Sequence, residues 1–176
     1  RKMVKTYLRY VHEEAFGIVS SPRAPTVVDA SGKFSYSPAI HEVLVWDLKR
    51  GELVRYMTPD GENYLKGEVT SLLLINESKL AVGYSNGMVR CFDTIEGGAP
   101  KVSLMGHKGA VTCMAASNDG MFLCSGGNDT DLVIWDVVGE RGVCRLKGHK
   151  DAVTAVRFLS SPTTSTASPG TLLCSA

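Results

Sequence analysis

Residues 104–114 read LMGHKGAVTCM and residues 146–156 read LKGHKDAVTAV, nearly the same stretch repeated 42 residues later. A third copy of its second half, Val69-Thr70 in GEVTSLLL, lies 42 residues before Val111-Thr112. Repetition at a period of roughly 20 to 50 residues is typical of solenoids, propellers and similar arrays. The repeat is therefore the unit from which we derive the fold.

The other end of the unit also repeats, as VLVWDLKRGEL (43–53), VRCFDTIEGGA (89–99) and VIWDVVGERGV (133–143). The segments within a unit are short, rich in Val, Ile, Leu, Cys and aromatic residues, and separated by Gly, Asn, Asp and Ser. This composition predicts strands joined by tight turns. Four such strands in about 42 residues, with Gly-His before them and Trp-Asp near the end, resemble the WD-repeat β-propeller.

The predicted fold is all-β, the N-terminal portion of a WD-repeat propeller with about three and a half blades. We expect an N-terminal strand and a divergent first blade in residues 1–62, then blades at 63–105 and 106–147, and an incomplete fourth blade at 148–176. Seven such blades would need roughly 300 residues. The chain is thus predicted to be part of a longer protein, not to fold alone, and to end in an open strand edge.

The WD-repeat resemblance implies a buried hydrogen-bonded network in each blade, formed by a His, a Ser or Thr, an Asp and the Trp. In the third unit these positions are His107, Ser125, Asp129 and Trp135. The second unit replaces all four, with Leu65, Val82, Asn86 and Phe92. The first unit keeps Trp46 but has Ile40 at the Asp position, and the fourth unit keeps His149 and Ser175.

Composition limits the classes of function. Net charge is +1, and 21% of residues are charged, which is ordinary for a soluble globular protein and is no overall footprint for nucleic acid. We expect no secretory signal and no membrane segment, because the longest apolar run, at 72–75, is far too short. The five cysteines lack the paired spacing of a zinc site, so we expect small buried thiols, no metal and no cofactor.

Catalytic motifs are weak. GYSNG at 83–87 matches the G-x-S-x-G nucleophile motif, but the repeat predicts a strand–turn–strand around Ser85 instead of the strand–turn–helix that the motif requires. A hydrolase would need a His within hydrogen-bonding reach of Ser85. His107 and His149 occupy equivalent repeat positions, which favours a structural role. The sequence therefore predicts no enzyme and no small-molecule substrate.

Basic residues suggest a second kind of site. The candidates for contact with RNA or a protein partner are Arg9, Lys108, Arg145, Lys147 and Lys150. The last four surround the two Gly-His pairs and are expected on one face of a propeller, where they could contact phosphates. The alternative is an ordinary charged surface, offset by residues such as Glu68 and Asp151. The Ser/Thr/Pro-rich stretch at 160–169 is expected to be a surface loop.

Longer stretches carry a closer resemblance. They are KTYLRY and AFGIVSS near the start, HEVLVWDLKRGEL, KLAVGYSNGMVRCFD, and GNDTDLVIWDVVGERGVCRLKGHKDAVT at 127–154. Together they resemble the Dip-two / WD-repeat-protein-three family, subunits of the UTP-B subcomplex of the small-subunit processome. The resemblance covers most of residues 5–158.

This resemblance implies a nuclear, nucleolar scaffold in pre-ribosomal-RNA processing and small-subunit assembly. Its partners would be UTP-B-type processome proteins, pre-ribosomal RNA and small nucleolar RNA. Another class of WD-repeat adaptor, such as a ubiquitin-ligase substrate receptor or a signalling scaffold, would share the same fold. A further hypothesis is that KTYLRY pairs with the final blade and helps to close the ring.

Overall fold

The computed structural model describes residues 20–59, 67–160 and 171–176, with the side chains of 160, 171 and 172 left out. These residues form fourteen strands and no helix. In chain order they are β1 (Val27–Val28), β2 (Phe34–Ala39), β3 (Glu42–Asp47), β4 (Glu52–Met57), β5 (Val69–Asn76), β6 (Lys79–Tyr84), β7 (Met88–Asp93), β8 (Val102–Met105), β9 (Val111–Ala116), β10 (Phe122–Gly127), β11 (Leu132–Asp136), β12 (Arg141–Leu146), β13 (Val156–Ser160) and β14 (Thr171–Ser175). None of the described residues forms a helix of the length and hydrophobicity that a membrane crossing needs.

The strands form successive antiparallel sheets in which each strand pairs with its neighbour in the chain. The first three sheets have four strands each, β1 to β4, β5 to β8 and β9 to β12, and the fourth sheet has only β13 and β14. This is the partial propeller that the sequence predicts. The blade boundaries expected from the sequence, 1–62, 63–105, 106–147 and 148–176, remain predictions about where one structural unit ends and the next begins.

Apolar residues from facing sheets form the core. One cluster joins Tyr36 and Val45 of the first sheet to Leu80 and Phe92 of the second. The next joins Val89 and Leu104 of the second sheet to Trp135 and its neighbours in the third, and a smaller one joins the third sheet to the fourth. The core therefore lies between sheets, so each sheet depends on its neighbours for burial.

Threonines of the repeat link adjacent sheets. Thr70, in β5, donates a hydrogen bond from Oγ1 to the Val111 carbonyl at the start of β9, over 2.7 Å. Thr112, one repeat later, donates in the same way to the Val153 carbonyl. The Val-Thr pair is thus repeated because the threonine of one sheet bonds the valine of the next.

A glycine on the second strand of each of two sheets allows this close approach. A Cβ on Gly83 would lie 2.8 Å from Val111 Cγ1, and a Cβ on Gly126 would lie 2.7 Å from Val153 Cγ1. Both distances are well below an ordinary carbon–carbon contact of roughly 3.5–4.0 Å. The two glycines therefore accommodate the valine of the following repeat.

The cysteines depart from the prediction of buried thiols. Cys91 and Cys124 are buried and Cys113 is half-buried, but Cys144 and Cys174 are exposed. Burial raises the pKa of Cys91 to about 11 and that of Cys124 to about 12, so both stay protonated at neutral pH. The expectation is thus wrong for Cys144 and Cys174, which lie on the third and fourth sheets where less chain packs against them.

Candidate functional site: a buried network and the surface it supports

The loops that join the strands lie at two opposite ends of the sheets. The Gly-His end carries loops 106–110 and 147–155, together with the turns at 40–41, 85–87 and 128–131. The opposite end carries the turns at 29–33, 77–78 and 117–121 and the segments at 48–51, 94–101 and 137–140. Loops alternate between the two ends because each sheet is an antiparallel meander.

The structure brings His107, Ser125, Asp129 and Trp135 together at the Gly-His end. His107 Nδ1 lies 2.9 Å from Asp129 Oδ1, and His107 Nε2 lies 2.8 Å from Ser125 Oγ. Trp135 Nε1 donates to the same serine oxygen over 2.8 Å. The His107 side chain is 0% exposed, and Ser125 and Trp135 are also buried.

One assignment of protons satisfies all four side chains. A neutral His107 donates from Nδ1 to the Asp129 carboxylate and accepts at Nε2 from the Ser125 hydroxyl, whose oxygen accepts from Trp135. Burial alone would raise the pKa of Asp129, but hydrogen bonds from the Lys108 backbone N–H and the His107 ring lower it below its ordinary value of 3.8. The carboxylate thus stays ionised at neutral pH.

The network fixes two loops of the Gly-His end relative to each other. Asp129 Oδ2 accepts a 2.7 Å hydrogen bond from the Lys108 N–H, so the carboxylate holds the 106–110 loop against the 128–131 turn. A Cβ on Gly127 would lie 2.7 Å from His107 Nδ1, and a Cβ on Gly106 would meet the Trp135 ring. These two glycines leave the space that the His107 and Trp135 rings occupy.

The other sheets hold parts of the same arrangement. His149 Nε2 lies 2.8 Å from Ser175 Oγ, which matches the His107–Ser125 distance in the third sheet. In the second sheet Val82 and Phe92 are buried and apolar, while Leu65 lies outside the described residues. Trp46 in the first sheet is half-buried.

Strand register reveals a serine that sequence reasoning missed. Ser37 faces Leu44, which is two residues before Trp46, just as Ser125 faces Val133, two residues before Trp135. Ser37 therefore occupies the Ser125 position of the first sheet. At the Asp position of that sheet the hairpin has Ile40, whose φ of 54° is one that β-branched residues rarely adopt.

The candidate contact residues fall into two groups. The Lys108, Lys147 and Lys150 side chains are exposed at the Gly-His end. Arg145 instead forms a 2.8 Å ion pair with the buried Asp131 and donates a second hydrogen bond to the Gly106 carbonyl. Arg145 thus connects β12 to the 106–110 loop. Arg9 and the KTYLRY stretch lie outside the described residues, as does most of the 160–169 stretch.

Ser85 lies in the turn between the antiparallel strands β6 and β7, and its Oγ accepts a 2.8 Å hydrogen bond from the Glu68 N–H. No helix follows it, so the nucleophile motif lacks its structural context. Among the described residues no group of three or more His, Cys, Asp and Glu side chains is placed to hold a metal ion.

Comparison with known proteins supports the fold. The family model of the WD domain, G-beta repeat, matches residues 98–136. The solved structure of U3-55K superposes with a TM-score of 0.71 at 22% identity, covering 81% of this chain and 44% of that one. At this identity the likeness concerns the fold alone.

The curated relatives include WD repeat-containing and nucleolar-RNA-associated proteins on the one hand and a guanine nucleotide-binding protein subunit beta on the other. WD repeat-containing protein 3 homolog of Dictyostelium discoideum is 35% identical over 62% of this chain and 11% of its own length. U3 small nucleolar RNA-associated protein 12 of Saccharomyces cerevisiae is 32% identical over 70% of this chain and 15% of its own. The guanine nucleotide-binding protein subunit beta of Schizosaccharomyces pombe is 28% identical over 76% of this chain and 43% of its own.

The chain thus spans less than half the length of these relatives, and under a sixth of the first two. The matched repeat lies across the second and third sheets, where the described strands have the four-stranded antiparallel form of WD40 domains. Residues 98–136 thus match a WD repeat, the fold is part of a WD40-type β-propeller, and the sequence resembles WD repeat-containing protein 3 and its relatives.

Proposed function

We propose that this chain is part of a non-catalytic scaffold of the small-subunit processome, acting in pre-ribosomal-RNA processing and small-subunit assembly in the nucleolus. The observation that carries the proposal is its similarity to WD repeat-containing protein 3 and to U3 small nucleolar RNA-associated protein 12. The partners would be UTP-B-type processome proteins, with pre-ribosomal RNA and small nucleolar RNA at the surface.

The Gly-His end is the surface best suited to RNA. Two of its acidic side chains are engaged, Asp129 with His107 and the Lys108 N–H, and Asp131 with Arg145, while Asp151 is exposed beside Lys150. The exposed Lys108, Lys147 and Lys150 outnumber this carboxylate, so the two Gly-His loops carry a net positive charge. Lysines that neutralise phosphates supply affinity without sequence specificity.

A scaffold role also fits the use of the polar side chains. The His, Ser and Asp side chains that could have formed a catalytic group are saturated by one another in the buried network. Such a network holds the loops of the Gly-His end in one arrangement and leaves no side chain of the network free for acid–base chemistry. Display of a rigid surface is what the geometry supports.

The test is crosslinking of the tagged full-length protein in cells, followed by sequencing of the bound RNA. We expect pre-ribosomal spacer RNA together with processome proteins. Replacing Lys108, Lys147 and Lys150 together by Glu should reduce the RNA recovered, whereas Lys49→Glu, an exposed lysine at the opposite end, should not. Equal loss in both variants would contradict an RNA surface at the Gly-His end.

The alternative is an adaptor of another class, a signalling scaffold or a ubiquitin-ligase substrate receptor. Similarity to the guanine nucleotide-binding protein subunit beta favours the first of these. The same experiment separates the two proposed functions, because an adaptor would be purified with signalling or ligase components and without pre-ribosomal RNA. The fold would be the same in each case.

A further inference from the structure

A cleft of about 800 Å³ opens at the opposite end, between the first and second sheets. Its wall includes Lys33, Phe34, Tyr36 and Arg55 from the first sheet and Thr94 from the second. The corresponding groove between the second and third sheets is about 210 Å³ and includes Val102 and Val137. The chain thus contains two versions of one inter-sheet groove, which can be compared directly.

Strand register establishes that the two grooves are equivalent. Arg55 faces Val45, the residue before Trp46, and Val102 faces Cys91, the residue before Phe92. Arg55 and Val102 therefore occupy the same position of successive repeats. Thr94 and Val137 are likewise equivalent, because each donates its N–H to the preceding turn of its own sheet, at Ser78 and Met121.

The larger cleft has polar groups where the smaller one has valines. Val102 and Val137 belong to the apolar cluster that seals the second and third sheets. Arg55 instead crosses the gap and donates from Nη1 to the Thr94 carbonyl over 2.9 Å. A half-buried cation such as Arg55 stabilises an interface between sheets less than the apolar packing of a valine does. The presence of Arg55 where the next groove has Val102 therefore points to a use for the open cleft.

Two cations meet on one aromatic ring in this cleft. The Lys33 ammonium lies 4.7 Å and the Arg55 guanidinium 5.9 Å from the centre of the Phe34 ring. Asp29 lies beside them, but its carboxylate already accepts from the Lys33 and Phe34 N–H groups and from Ser31. An anionic group would find both cations available, since Lys33 is exposed and Arg55 uses only one of its donors in a hydrogen bond of the described residues.

The remaining wall favours a peptide over RNA. Asp29 and the exposed Glu77 flank the two cations, so the cleft has room for one carboxylate between Lys33 and Arg55, whereas RNA would bring a phosphate at every nucleotide against these acidic side chains. The Phe34 ring is approached by two cations, so it is poorly placed to stack on a base. Ile95, 67% exposed at the rim, offers an apolar contact next to the cations.

We propose that this cleft binds an acidic peptide segment of a protein partner, with a carboxylate between Lys33 and Arg55 and a neighbouring apolar side chain on Ile95. Arg55 would give the bidentate contact that carboxylates favour, and Lys33 would add a point charge. The cleft lies at the other end of the sheets from the lysines of the Gly-His end. The peptide cleft and the proposed RNA surface are therefore separate sites.

The probe is a phage library of random short peptides, selected on the immobilised full-length protein. Parallel selections use Lys33→Glu, whose exposed side chain can be replaced without disturbing the fold, and Arg55→Met, which keeps the length of the stem. The matched control is Lys79→Glu, a change of the same charge at the equivalent groove between the second and third sheets. Enriched peptides are then measured by fluorescence anisotropy, together with versions in which Gln and Asn replace Glu and Asp.

We expect acidic peptides to be enriched on the unaltered protein. Their affinity should fall about tenfold or more in Lys33→Glu and in Arg55→Met, and less than about twofold in Lys79→Glu. The amide versions should bind weakly, and an oligouridylate should not compete. Enrichment of neutral or basic peptides, equal binding to all four proteins, displacement by oligouridylate, or no enrichment at all would overturn the proposal.

Discussion

Removal of the Ser125 hydroxyl is the sharpest test of the buried network. Ser125 is 0% exposed, and its oxygen bonds both His107 Nε2 and Trp135 Nε1 over 2.8 Å each. Ser125→Ala would leave these two buried groups without a partner. At about 1–3 kcal/mol for each unsatisfied group, the free energy of unfolding should fall by about 2–6 kcal/mol.

The second sheet supplies the control. There Val82 and Phe92 occupy the Ser125 and Trp135 positions, with Asn86 at the Asp position and Leu65 at the His position. A variant with His107→Leu, Ser125→Val, Asp129→Asn and Trp135→Phe therefore carries a combination that the chain already uses. Because all members of the network are replaced together, no buried donor or acceptor of these side chains is left unpaired.

The assay is a urea titration of a protein comprising the whole propeller, followed by tryptophan fluorescence and circular dichroism. The fourfold variant should lose less stability than Ser125→Ala alone, although it changes more atoms. Trp135→Phe should cost only about 1 kcal/mol, since Ser125 still bonds His107. If the fourfold variant were as unstable as the sum of its single changes, the account of the network as a mutually satisfied unit would be refuted.

Three further predictions concern the sheet interfaces and the Asp129 carboxylate. Gly83→Ala should destabilise the propeller by about 1–3 kcal/mol in a thermal melt, because its Cβ would press on Val111, whereas Gly142→Ala, whose Cβ would lie 3.6 Å from the Trp135 ring, an ordinary contact, should be nearly neutral. Thr70→Val should cost about 1 kcal/mol and increase hydrogen exchange in β5 and β9, because it removes the bond to the Val111 carbonyl; unchanged exchange would count against the inter-sheet bond. The pKa of Asp129 is lowered by folding, so its stabilisation is complete above the ordinary value of 3.8 and is lost as the pH falls below it. Stability measured from pH 7 to pH 3 should therefore fall more steeply in the natural protein than in Asp129→Asn, and parallel curves would contradict the role of this carboxylate.

The repeat accounts for most of what could be read from the sequence. The spacing of Gly-His, Val-Thr and Trp-Asp indicated strands, sheets and their order, because one pattern had to serve the same backbone in each unit. The resemblance to WD repeats then implied a buried network of His107, Ser125, Asp129 and Trp135. The structure then showed that these four side chains lie within hydrogen-bonding distance.

Other features depended on contacts between separate strands or sheets, which the repeat pattern does not record. Arg145 is exposed and stays a candidate contact residue, but its bonds to Asp131 and to the Gly106 carbonyl join residues 14 and 39 positions away that meet it only in the folded sheet. Ser37 escaped notice because the hairpin of the first sheet is shorter than those of the others. The acidic-peptide cleft arises where Arg55 of one sheet meets Thr94 of the next.

The sequence by itself thus determined the kind of sheet and the order of the strands, which follow from local periodicity, and its resemblance to WD repeats implied the members of the buried network. Only the tertiary structure decided which charged side chains are free and which are engaged, and which inter-sheet groove is open. The physical reason is that strand periodicity is local, whereas ion pairs and grooves depend on residues that folding brings together from separate strands and sheets.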